Sequence, residues 1–298
     1  MNRTKESGEL LSFRDEAELL YSQHKSWTEI TDILKDKHFP SLTWEQARNK
    51  LRDSVRRGHS YKLVHKVTQP STSSSTLVFG DIHAPFTHPN YLQFLLDTKA
   101  LYGADEVVCT GDIVDHHALS RFNSEPCAHG AYDEGDKASQ VIAQYAKAFP
   151  SLKMCMGNHD LIIERQAASV GIGKRFLRTF QDVYGLPDTW ELGEEFIIDD
   201  VLYKHGLNCI GVNGALNTAI QGRISTVIGH SHSFGGCQYS ANPRDIIFGL
   251  NAGCGIDISA YAFAYGQHSK YRPTLGCGIV FNKSNAIFVP MGEQYFRN

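Results

Sequence analysis

The sequence predicts a mixed α/β domain with a small all-helical domain in front of it. Three apolar runs typical of buried strands, TLVFGDIH, EVVCTGDIVD and LKMCMGNHD, each end in polar residues. Two further stretches, EEFIIDDVLYKHG and CGIVFNKSNAIFVP, have the pattern of β-hairpins. Because parallel-type units are mixed with hairpins, we expect two mixed sheets that pack face to face with helices outside.

The remaining elements of the α/β region follow the same alternation. Helical patterns are expected at 89–102, where a proline suits the first turn, and at about 134–148. The stretch STVIGHSH predicts another strand, which ends in histidines. Several predicted strands of this region therefore end in polar side chains that can bind a ligand. The carboxyl ends of strands are where α/β sheets have their binding and active sites.

The composition is that of an ordinary globular protein. The 298 residues are 42% hydrophobic and 20% charged, with a net charge of -3, which excludes a disordered or fibrous chain. No apolar run approaches the roughly 20 residues that cross a bilayer, and the first residues are too polar for a secretory signal. We expect a cytoplasmic protein without membrane contact, in the host cytoplasm if the chain is virally encoded.

The seven cysteines indicate neither a zinc ribbon nor a disulfide framework, because their number is odd and no two form a CxxC pair. Cys109 and Cys155 lie inside apolar runs, and no basic residue beside them in sequence would lower the pKa of their thiols. We expect them to be buried and unreactive.

A serine- and threonine-rich stretch, QPSTSSST at residues 69–76, divides the chain. It contains no apolar residue, as is typical of a flexible linker. The predicted domains are a helical domain over 1–68 and a catalytic domain over 77–298. Residues 1–68 contain 13 Lys and Arg against 10 Asp and Glu, a net charge of +3 that leaves -6 for the rest of the chain.

Capping signals and apolar spacing predict the first two helices of the helical domain. Residues 13–25 form an amphipathic segment with apolar residues on one face. A capping box over 26–29 then starts a short helix in which Ile30, Ile33 and Leu34 are spaced to face inward.

A second capping box, over 43–46, starts the third helix. Trp44, Ala47, Leu51 and Val55 follow at i, i+3, i+7 and i+11, a stripe that can pack inward. The opposite surface is basic and consists of Arg48, Lys50, Arg52, Arg56 and Arg57.

Three short helices of which the last has a basic face resemble a helix-turn-helix or Myb-like nucleic-acid-binding module. A row of arginines repels itself unless an anion lies along it, and a DNA backbone offers closely spaced phosphates. We therefore expect DNA as a partner. The alternative is a solvated basic face on a module for protein contacts or homo-oligomerisation.

Five polar groups stand at strand ends of the second region. They are Asp81-x-His83, Gly111-Asp112-x-x-Asp115, Gly157-Asn158-His159-Asp160, His205, and Gly229-His230-x-His232. Each group alone is a weak signal, but five in this order, each after an apolar strand, are hard to obtain by chance.

Together these groups resemble the calcineurin-like metallophosphoesterase superfamily, whose pattern is DxH, GDxxD, GNH[DE], H and GHxH. The match extends over residues 76–298, and no motif is missing. The resemblance implies a four-layer α/β/β/α sandwich with a two-metal hydrolytic centre. The residues that would bind one ion are Asp81, His83 and His232; those that would bind the other are Asn158, His205 and His230, with Asp112 between the two.

Chemistry supports these implied roles. Imidazole, carboxylate and amide ligands suit Mn²⁺, Fe²⁺, Zn²⁺ or Ni²⁺ better than ions that prefer all-oxygen shells, so we expect manganese first, with iron, zinc, nickel and magnesium left open. Two ions bring +4, whereas Asp81, Asp112 and a bridging hydroxide bring -3, which leaves about +1 to receive a phosphate ester.

The remaining implied roles are catalytic. A hydroxide between two ions roughly 3.5–4 Å apart would attack phosphorus in line, and the leaving alkoxide would need a proton. His159 would donate it, and the carboxylate of Asp115 would orient His159 and favour its protonated state.

Departures from the resembled pattern indicate the substrate. The Ser/Thr phosphatase branch continues GDxHG, GDxVDRG and GNHE, whereas this chain has GDIHA, GDIVDHH and GNHD. His116 thus stands where that branch has an arginine that binds the phosphate monoester. The aspartate that ends GNHD fits the nuclease and phosphodiesterase branch. His116 and Arg121, in the long loop 116–133, are candidate substrate contacts, although a surface role is an equal alternative.

With the basic helical module, these departures favour a DNA phosphodiesterase, which cuts as a nicking or double-strand endonuclease or as an exonuclease. The tethered module would raise the local concentration of the catalytic domain on a polyanion. The alternative is a protein or small-molecule phosphatase or phosphodiesterase whose N-terminal helices bind a protein partner. A third hypothesis is a DNA-binding protein with a vestigial catalytic domain.

Overall fold

The computed structural model describes residues 16–17, 20, 25–58, 66–67, 75–120, 128–209, 211–260 and 272–296, with only the backbone at positions 27, 52–58 and 66–67. The chain divides into two compact units, Met1–Val64 and His65–Asn298. The division falls four residues before the predicted boundary at 68 because the short strand Lys66–Val67 pairs with a strand of the second unit.

The predicted linker also ends earlier than expected. Ser75 and Thr76 are buried, Thr76 begins a strand, and the Ser75 hydroxyl donates a hydrogen bond to the Tyr102 carbonyl oxygen at 3.2 Å. These two residues therefore belong to the second unit, while residues 69–74 lie outside the described part of the chain.

In the first unit, both predicted capping boxes are formed. Helix α1 (Trp27–His38) is capped by Ser26, whose backbone N–H donates to the Glu29 carboxylate at 2.8 Å. Helix α2 (Trp44–Gly58) is preceded by Thr43, whose backbone N–H donates to the side-chain oxygen of Gln46 at 3.0 Å. These bonds satisfy N–H groups that a helix N-terminus leaves unpaired.

A small apolar cluster joins the two helices. Its buried members are Ala17, Ile30, Leu34, Phe39, Ala47 and Leu51. Residues 16, 17 and 20 are helical, as predicted for the first segment, and the rest of 13–24 lies outside the described residues. The two central positions of the predicted α2 stripe are therefore buried, whereas the side chain of Val55 is not described.

Two residues predicted to face inward in this unit do not. Ile33 is 49% exposed and Trp44 is 38% exposed. The indole N–H of Trp44 donates to Asp32 Oδ1 at 2.8 Å, and the Arg48 guanidinium lies 5.7 Å from the Trp44 ring centroid. Trp44 lies at the surface because its polar edge pairs with a carboxylate and its ring face pairs with a cation.

The second unit contains two six-stranded sheets in its described part. In pairing order, the first sheet consists of β12 (Asn285–Pro290), β11 (Gly276–Asn282), β2 (Thr76–Phe79), β3 (Glu106–Cys109), β4 (Leu152–Cys155) and β5 (Trp190–Gly193). The second consists of β1 (Lys66–Val67), β6 (Glu195–Ile198), β7 (Val201–Lys204), β8 (Ser225–Ile228), β10 (Ile246–Ala252) and β9 (Gly235–Ala241).

Five helices accompany the sheets within the described residues. They are α3 (Tyr91–Tyr102), α4 (Ala131–Ala148), α5 (Ile162–Ser169), α6 (Phe180–Tyr184) and α7 (Gly214–Gly222). Short 3₁₀ turns lie at His117–Leu119, Lys174–Phe176 and Glu293–Tyr295.

Three apolar interfaces separate four layers, as predicted. On one face of β2, Leu77 and Phe79 pack with residues of α3 and α4. On its other face, Val78 belongs to a cluster between the sheets that includes Phe196 and Phe248. Helix α7 covers the second sheet so closely that a Cβ on Gly249 of β10 would lie 2.1 Å from a backbone nitrogen of the helix. The order is helix, sheet, sheet, helix.

Most predicted elements of this unit are confirmed. Asp199 and Asp200 join β6 to β7 with φ of 49° and 60°, which fits a tight two-residue hairpin turn, and β11 and β12 form the other hairpin. The predicted helices at 89–102 and 134–148 correspond to α3 and α4. Strands β5, β9 and β10 and the short helices α5 to α7 were not predicted.

The predicted burial of the strand cysteines is confirmed. Cys109 and Cys155 are fully buried and free, and burial raises the pKa of both thiols well above the ordinary range. Neither thiol can ionise readily, so neither is a nucleophile. In the described part of the chain, no helix is long and apolar enough to cross a membrane.

The stability of the second unit depends on the apolar cluster between its sheets. Replacing the fully buried Phe248 by alanine should lower the free energy of unfolding by about 3–5 kcal/mol, because it removes a buried ring and leaves a cavity. Urea denaturation measures the change. The matched control is Leu101→Ala, which truncates a side chain that is 76% exposed and should change stability by less than about 0.5 kcal/mol. Equal effects of the two variants would contradict this packing.

Candidate metal centre

The five polar groups of the sequence meet at one rim of the sandwich. Parallel strands β2, β3 and β4 end at the same edge of the first sheet, and parallel strands β7 and β8 end at the same edge of the second. The loops that follow these strands carry Asp81, His83, Asp112, Asn158, His205, His230 and His232. Two sheets packed face to face therefore bring together residues separated by up to about half of the chain.

Four of these residues have an unusual backbone conformation. Asp81, His83, Asp112 and His230 have φ of 51°, 48°, 50° and 66°, in the left-handed region that non-glycine residues rarely adopt. Such residues cost roughly 1–3 kcal/mol each and cluster at functional sites. The sharp turns they make direct the side chains toward one another.

Two motif glycines make room for the carboxylates. A Cβ on Gly157 would lie 2.1 Å from Asp112 Oδ1, and one on Gly229 would lie 2.2 Å from Asp81 Oδ2. Any side chain at these positions would therefore displace a predicted ligand. The glycines before Asn158 and His230 are needed for space.

The predicted ligands form two groups. In the first, the Nε2 atom of His232 lies 3.1 Å from His83 Nε2 and 3.3 Å from Asp81 Oδ1. The donor atoms of these three residues lie within 4.8 Å of one another, close enough to share one ion.

The second group surrounds His205. Its Nε2 atom lies 3.1 Å from Asp112 Oδ2, 3.1 Å from His230 Nδ1 and 2.9 Å from Asn158 Oδ1. The same oxygen of Asp112 is 3.9 Å from His83 Nε2 in the first group. Asp112 therefore lies between the two groups, as the predicted bridging ligand must.

The electrostatics of the site favour a cation. Burial lowers the pKa of His205, but the charges of Asp112 and Asp81 outweigh burial and raise it to about 10. Burial likewise raises the pKa of Asp112, but the His205 charge and hydrogen bond hold it well below its usual range. Two buried carboxylates that stabilise an imidazolium would also stabilise divalent ions. Their combination with imidazoles and one amide fits borderline transition metals.

Asp115 contacts two histidines in different ways. Its Oδ1 atom lies 2.5 Å from His83 Nδ1 and 3.6 Å from His159 Nδ1, whereas its backbone carbonyl oxygen accepts a hydrogen bond from His159 Nδ1 at 2.5 Å. The carboxylate thus orients the predicted ligand His83, as carboxylates beside ligating histidines do. The predicted contact with His159 is made mainly by the backbone.

His159 has the exposure and charge environment of a proton donor. Its side chain is 27% exposed, whereas the ligand His83 is 1% exposed. Burial lowers the pKa of His159, but the charges of Asp112 and Asp115 outweigh burial and raise it above the ordinary value. The protonated imidazole is therefore favoured beside the two ligand groups.

Asp160, which the sequence indicated only as a marker of the family branch, connects two loops. Its Oδ2 atom accepts hydrogen bonds from the backbone N–H groups of Asp112 and Gly157, both at 2.8 Å. Its Oδ1 atom accepts from Ile113 and Val114 at 3.0 and 3.3 Å. The carboxylate thereby fixes the loop after β3 against the loop after β4.

The structure does not support the predicted substrate contact of His116, which is 6% exposed. Its Nδ1 donates to the carbonyl oxygen of His159 at 2.8 Å, and its Nε2 is bonded to the Tyr184 hydroxyl. Because both ring nitrogens of His116 already have hydrogen-bond partners within the protein, His116 positions the backbone of His159 and does not face the substrate. Arg121, the other predicted contact, lies outside the described residues.

A cleft of about 280 Å³ opens beside the ligand groups. It is lined by Leu119, Ser120, Asn158, His159, Ile162, Arg165 and Gln166. Arg165 was not predicted as a site residue, yet its guanidinium is exposed and donates to the Asn158 carbonyl oxygen at 2.6 Å. The i, i+3, i+4 spacing of Ile162, Arg165 and Gln166 could have indicated that they share one helix face.

The predicted DNA-binding residues Arg48, Lys50, Arg52, Arg56 and Arg57 all lie on α2. Lys50 is exposed, and its Nζ atom lies 4.9 Å from the Phe39 ring centroid. Arg48 is half-buried beside Trp44. The side chains at positions 52, 56 and 57 are not among those the structure describes, so the basic row stays a prediction.

Sequence comparison identifies the class of protein that this fold and site define. The profile of the calcineurin-like phosphoesterases matches residues 74–251, which contain all five motifs. The chain belongs to this family and is a metallophosphoesterase. A search of curated protein sequences finds no match.

A comparison with solved structures also finds three phosphoesterases. A metallophosphoesterase from Sphaerobacter thermophilus is 14% identical with a TM-score of 0.40 and covers 74% of this chain and 89% of its own. A putative diadenosine tetraphosphatase is 16% identical with a TM-score of 0.38, covering 76% and 97%. The phosphoesterase Yfce from E. coli is 14% identical with a TM-score of 0.33, covering 73% and 98%. The family assignment rests on the sequence match alone.

The role of Asp160 can be tested by Asp160→Asn. The asparagine amide keeps one of the two acceptor oxygens, so about half of the four backbone N–H groups lose their acceptor. Each loss should lower the free energy of unfolding by roughly 1–3 kcal/mol. Metal affinity should fall by about 10–100-fold, as for other groups that hold ligands in place. Metal content per chain after gel filtration and urea denaturation measure the two effects. The control is Asp188→Asn, at an exposed position; wild-type metal content in Asp160→Asn would contradict the assignment.

Proposed function

We propose that this metallophosphoesterase hydrolyses phosphodiesters, with DNA as the substrate and manganese as the preferred metal. The observation that carries the proposal is the position of His116. Where the protein-phosphatase pattern has an arginine for a doubly charged monoester, this chain has a buried imidazole with both nitrogens bonded. Besides the imidazole of His159, the cationic side chain among the described lining residues of the cleft is Arg165, and one guanidinium suits the single negative charge of a diester.

The residues around the cleft would have different roles in the hydrolysis of a diester. Two divalent ions bound at the ligand groups would supply a hydroxide nucleophile and neutralise charge on the phosphate. Arg165 contributes a guanidinium that can donate to a non-bridging phosphate oxygen. His159, held by the backbone of Asp115 through Nδ1, can give a proton to the departing alkoxide when its ring is protonated.

The N-terminal unit supports DNA as the substrate. Its two described helices are joined by a short turn, and the second carries the predicted basic residues. Neutralising phosphates releases counterions, so a basic helix would supply affinity without sequence preference. Joined to a diesterase, such a helix would hold the catalytic domain near a polyanion.

The pH dependence of turnover should identify His159 as the acid. Because the charges of Asp112 and Asp115 raise the pKa of His159, its ring stays protonated to a higher pH than an ordinary histidine, and its contribution is lost as pH rises through that pKa. His159→Asn should abolish this falling limb and lower kcat about 10²–10⁴-fold on alkyl diesters. A nitrophenyl diester, whose leaving group needs no proton, is the matched control; an equal loss on both substrates would contradict the assignment.

Diester hydrolysis is tested with two small substrates and a plasmid. With Mn²⁺, we expect kcat/KM for bis(p-nitrophenyl) phosphate to exceed that for p-nitrophenyl phosphate, because the described lining residues of the cleft offer one guanidinium, that of Arg165, whereas a monoester carries up to two negative charges. Supercoiled plasmid should become nicked or linear. Chelator and His159→Asn should each suppress plasmid cleavage. The nuclease proposal would be disproved if no nicked or linear product formed with any of Mn²⁺, Fe²⁺, Zn²⁺, Ni²⁺ and Mg²⁺. A higher kcat/KM for the monoester would favour the phosphatase alternative.

The helical domain is tested in the same chain by replacing Arg48, Arg52 and Arg56 with glutamine. The slope of log affinity against log salt should fall by about 0.9 for each phosphate that the variant no longer neutralises. Lys147→Gln, at an exposed lysine of the catalytic unit, is the control and should leave the slope unchanged. An unaltered slope in the triple variant would show that these arginines do not contact DNA.

A further inference from the structure

Residues 162–178 form an exposed segment beside the cleft, which we call the arm. It consists of α5 and the 3₁₀ turn Lys174–Phe176, and neither contains a buried residue. Arg165, in the first turns of α5, lines the cleft. Lys174 pairs with Glu164 at 2.9 Å between Nζ and Oε1, so the turn folds back against α5. The arm therefore begins at the catalytic cleft and presents most of its surface to solvent.

The arm is positive in a negative domain. It carries four basic side chains, Arg165, Lys174, Arg175 and Arg178, against a single acidic one, Glu164, whereas the chain beyond residue 68 has a net charge of -6. All four basic residues are exposed. Clustered cations beside a cleft raise the local concentration of an anionic substrate.

Large apolar side chains are exposed among these cations. Val170 and Phe176 are each 74% exposed and Ile172 is 45% exposed. The Arg175 guanidinium lies 5.3 Å from the Phe176 ring centroid. An exposed aromatic ring beside cations is the combination on which single-stranded nucleic acids stack their bases while their phosphates meet the positive groups. Exposed apolar side chains that are grouped in one segment are typical of an interaction surface.

We propose that the arm binds a nucleic-acid strand with unpaired bases next to the scissile phosphate. Phe176 then stacks on a base, and Arg175 and Arg178 contact phosphates. The inference rests on the proposed function, because a diester at the metal centre of a longer strand continues past Arg165. A second copy of this chain fits the arm less well, since a two-fold contact through it would place the same cations opposite one another.

Binding is measured on the full chain with chelator present, so that no hydrolysis occurs. The probe is a fluorescein-labelled oligothymidylate of about 20 nucleotides, followed by anisotropy from about 50 to 200 mM salt. Arg175→Ala/Arg178→Ala should weaken binding and lower the salt slope by about 1.4, or about 0.7 for each phosphate of a single strand that is no longer neutralised. Phe176→Ala should weaken binding about tenfold with little change in slope.

The matched control is Lys147→Ala/Arg244→Ala, which removes two exposed cations at the opposite end of the strands and should leave both quantities unchanged. Each variant is repeated with Arg48, Arg52 and Arg56 replaced by glutamine, so that the helical domain cannot mask the arm. Thermal denaturation confirms that the variants are folded.

Two results would overturn the inference. One is an affinity and slope in the arm variants equal to those of the control. The other is a change of oligomeric state: light scattering would show that Phe176→Ala converts a dimer to a monomer while nucleic-acid affinity stays unchanged. That result would make the arm a self-association surface. If the protein binds the oligonucleotide through the arm but hydrolyses no diester, the proposed function is disproved and the arm is still a nucleic-acid-binding surface. If the protein hydrolyses diesters but the arm variants bind normally, only the inference about the arm is disproved.

Discussion

The candidate metal centre depends on one carboxylate outside the predicted ligand set. Asp160 accepts hydrogen bonds from the N–H groups of Asp112, Gly157 and two further residues, and Asp112 Oδ1 in turn accepts the N–H of His159 at 2.7 Å. Buried backbone N–H groups without an acceptor would be costly, so the loops after β3 and β4 are held in one arrangement. The predicted bridging ligand, the predicted amide ligand beside it and the proposed proton donor therefore form a single positioned unit.

The other half of the centre comes from the second sheet and is joined to the first by hydrogen bonds. The His230 N–H donates to both carboxylate oxygens of Asp81 at 2.9 Å, and His205 Nδ1 donates to the Thr110 carbonyl oxygen at 2.9 Å. These bonds span two sheets whose spacing is set by the apolar cluster around Phe248. The geometry of the site is thus coupled to the packing between the sheets, although no ligand belongs to that core.

Charge explains how these parts could act on a polyanion. The carboxylates of Asp81 and Asp112 create a site for divalent ions in a domain whose net charge is negative, so an anionic substrate meets repulsion except where local cations offset it. Arg165 and the rest of the arm provide such cations at one end of the cleft. The proposed path of a strand therefore follows the positive surface that begins beside the candidate metal centre.

The sequence alone determined the α/β class, the four layers, both capping boxes and the hairpins, because apolar spacing and turn residues are local patterns in neighbouring positions. It also predicted every candidate metal ligand, through the resemblance of its strand-end motifs to the family. It did not determine that Trp44 is at the surface, that His116 is tied to Tyr184 behind the site, that Asp160 joins two loops or that Arg165 lines the cleft. Only the tertiary structure decided these points, because each depends on which distant backbone or side-chain group a residue meets after the sheets have packed.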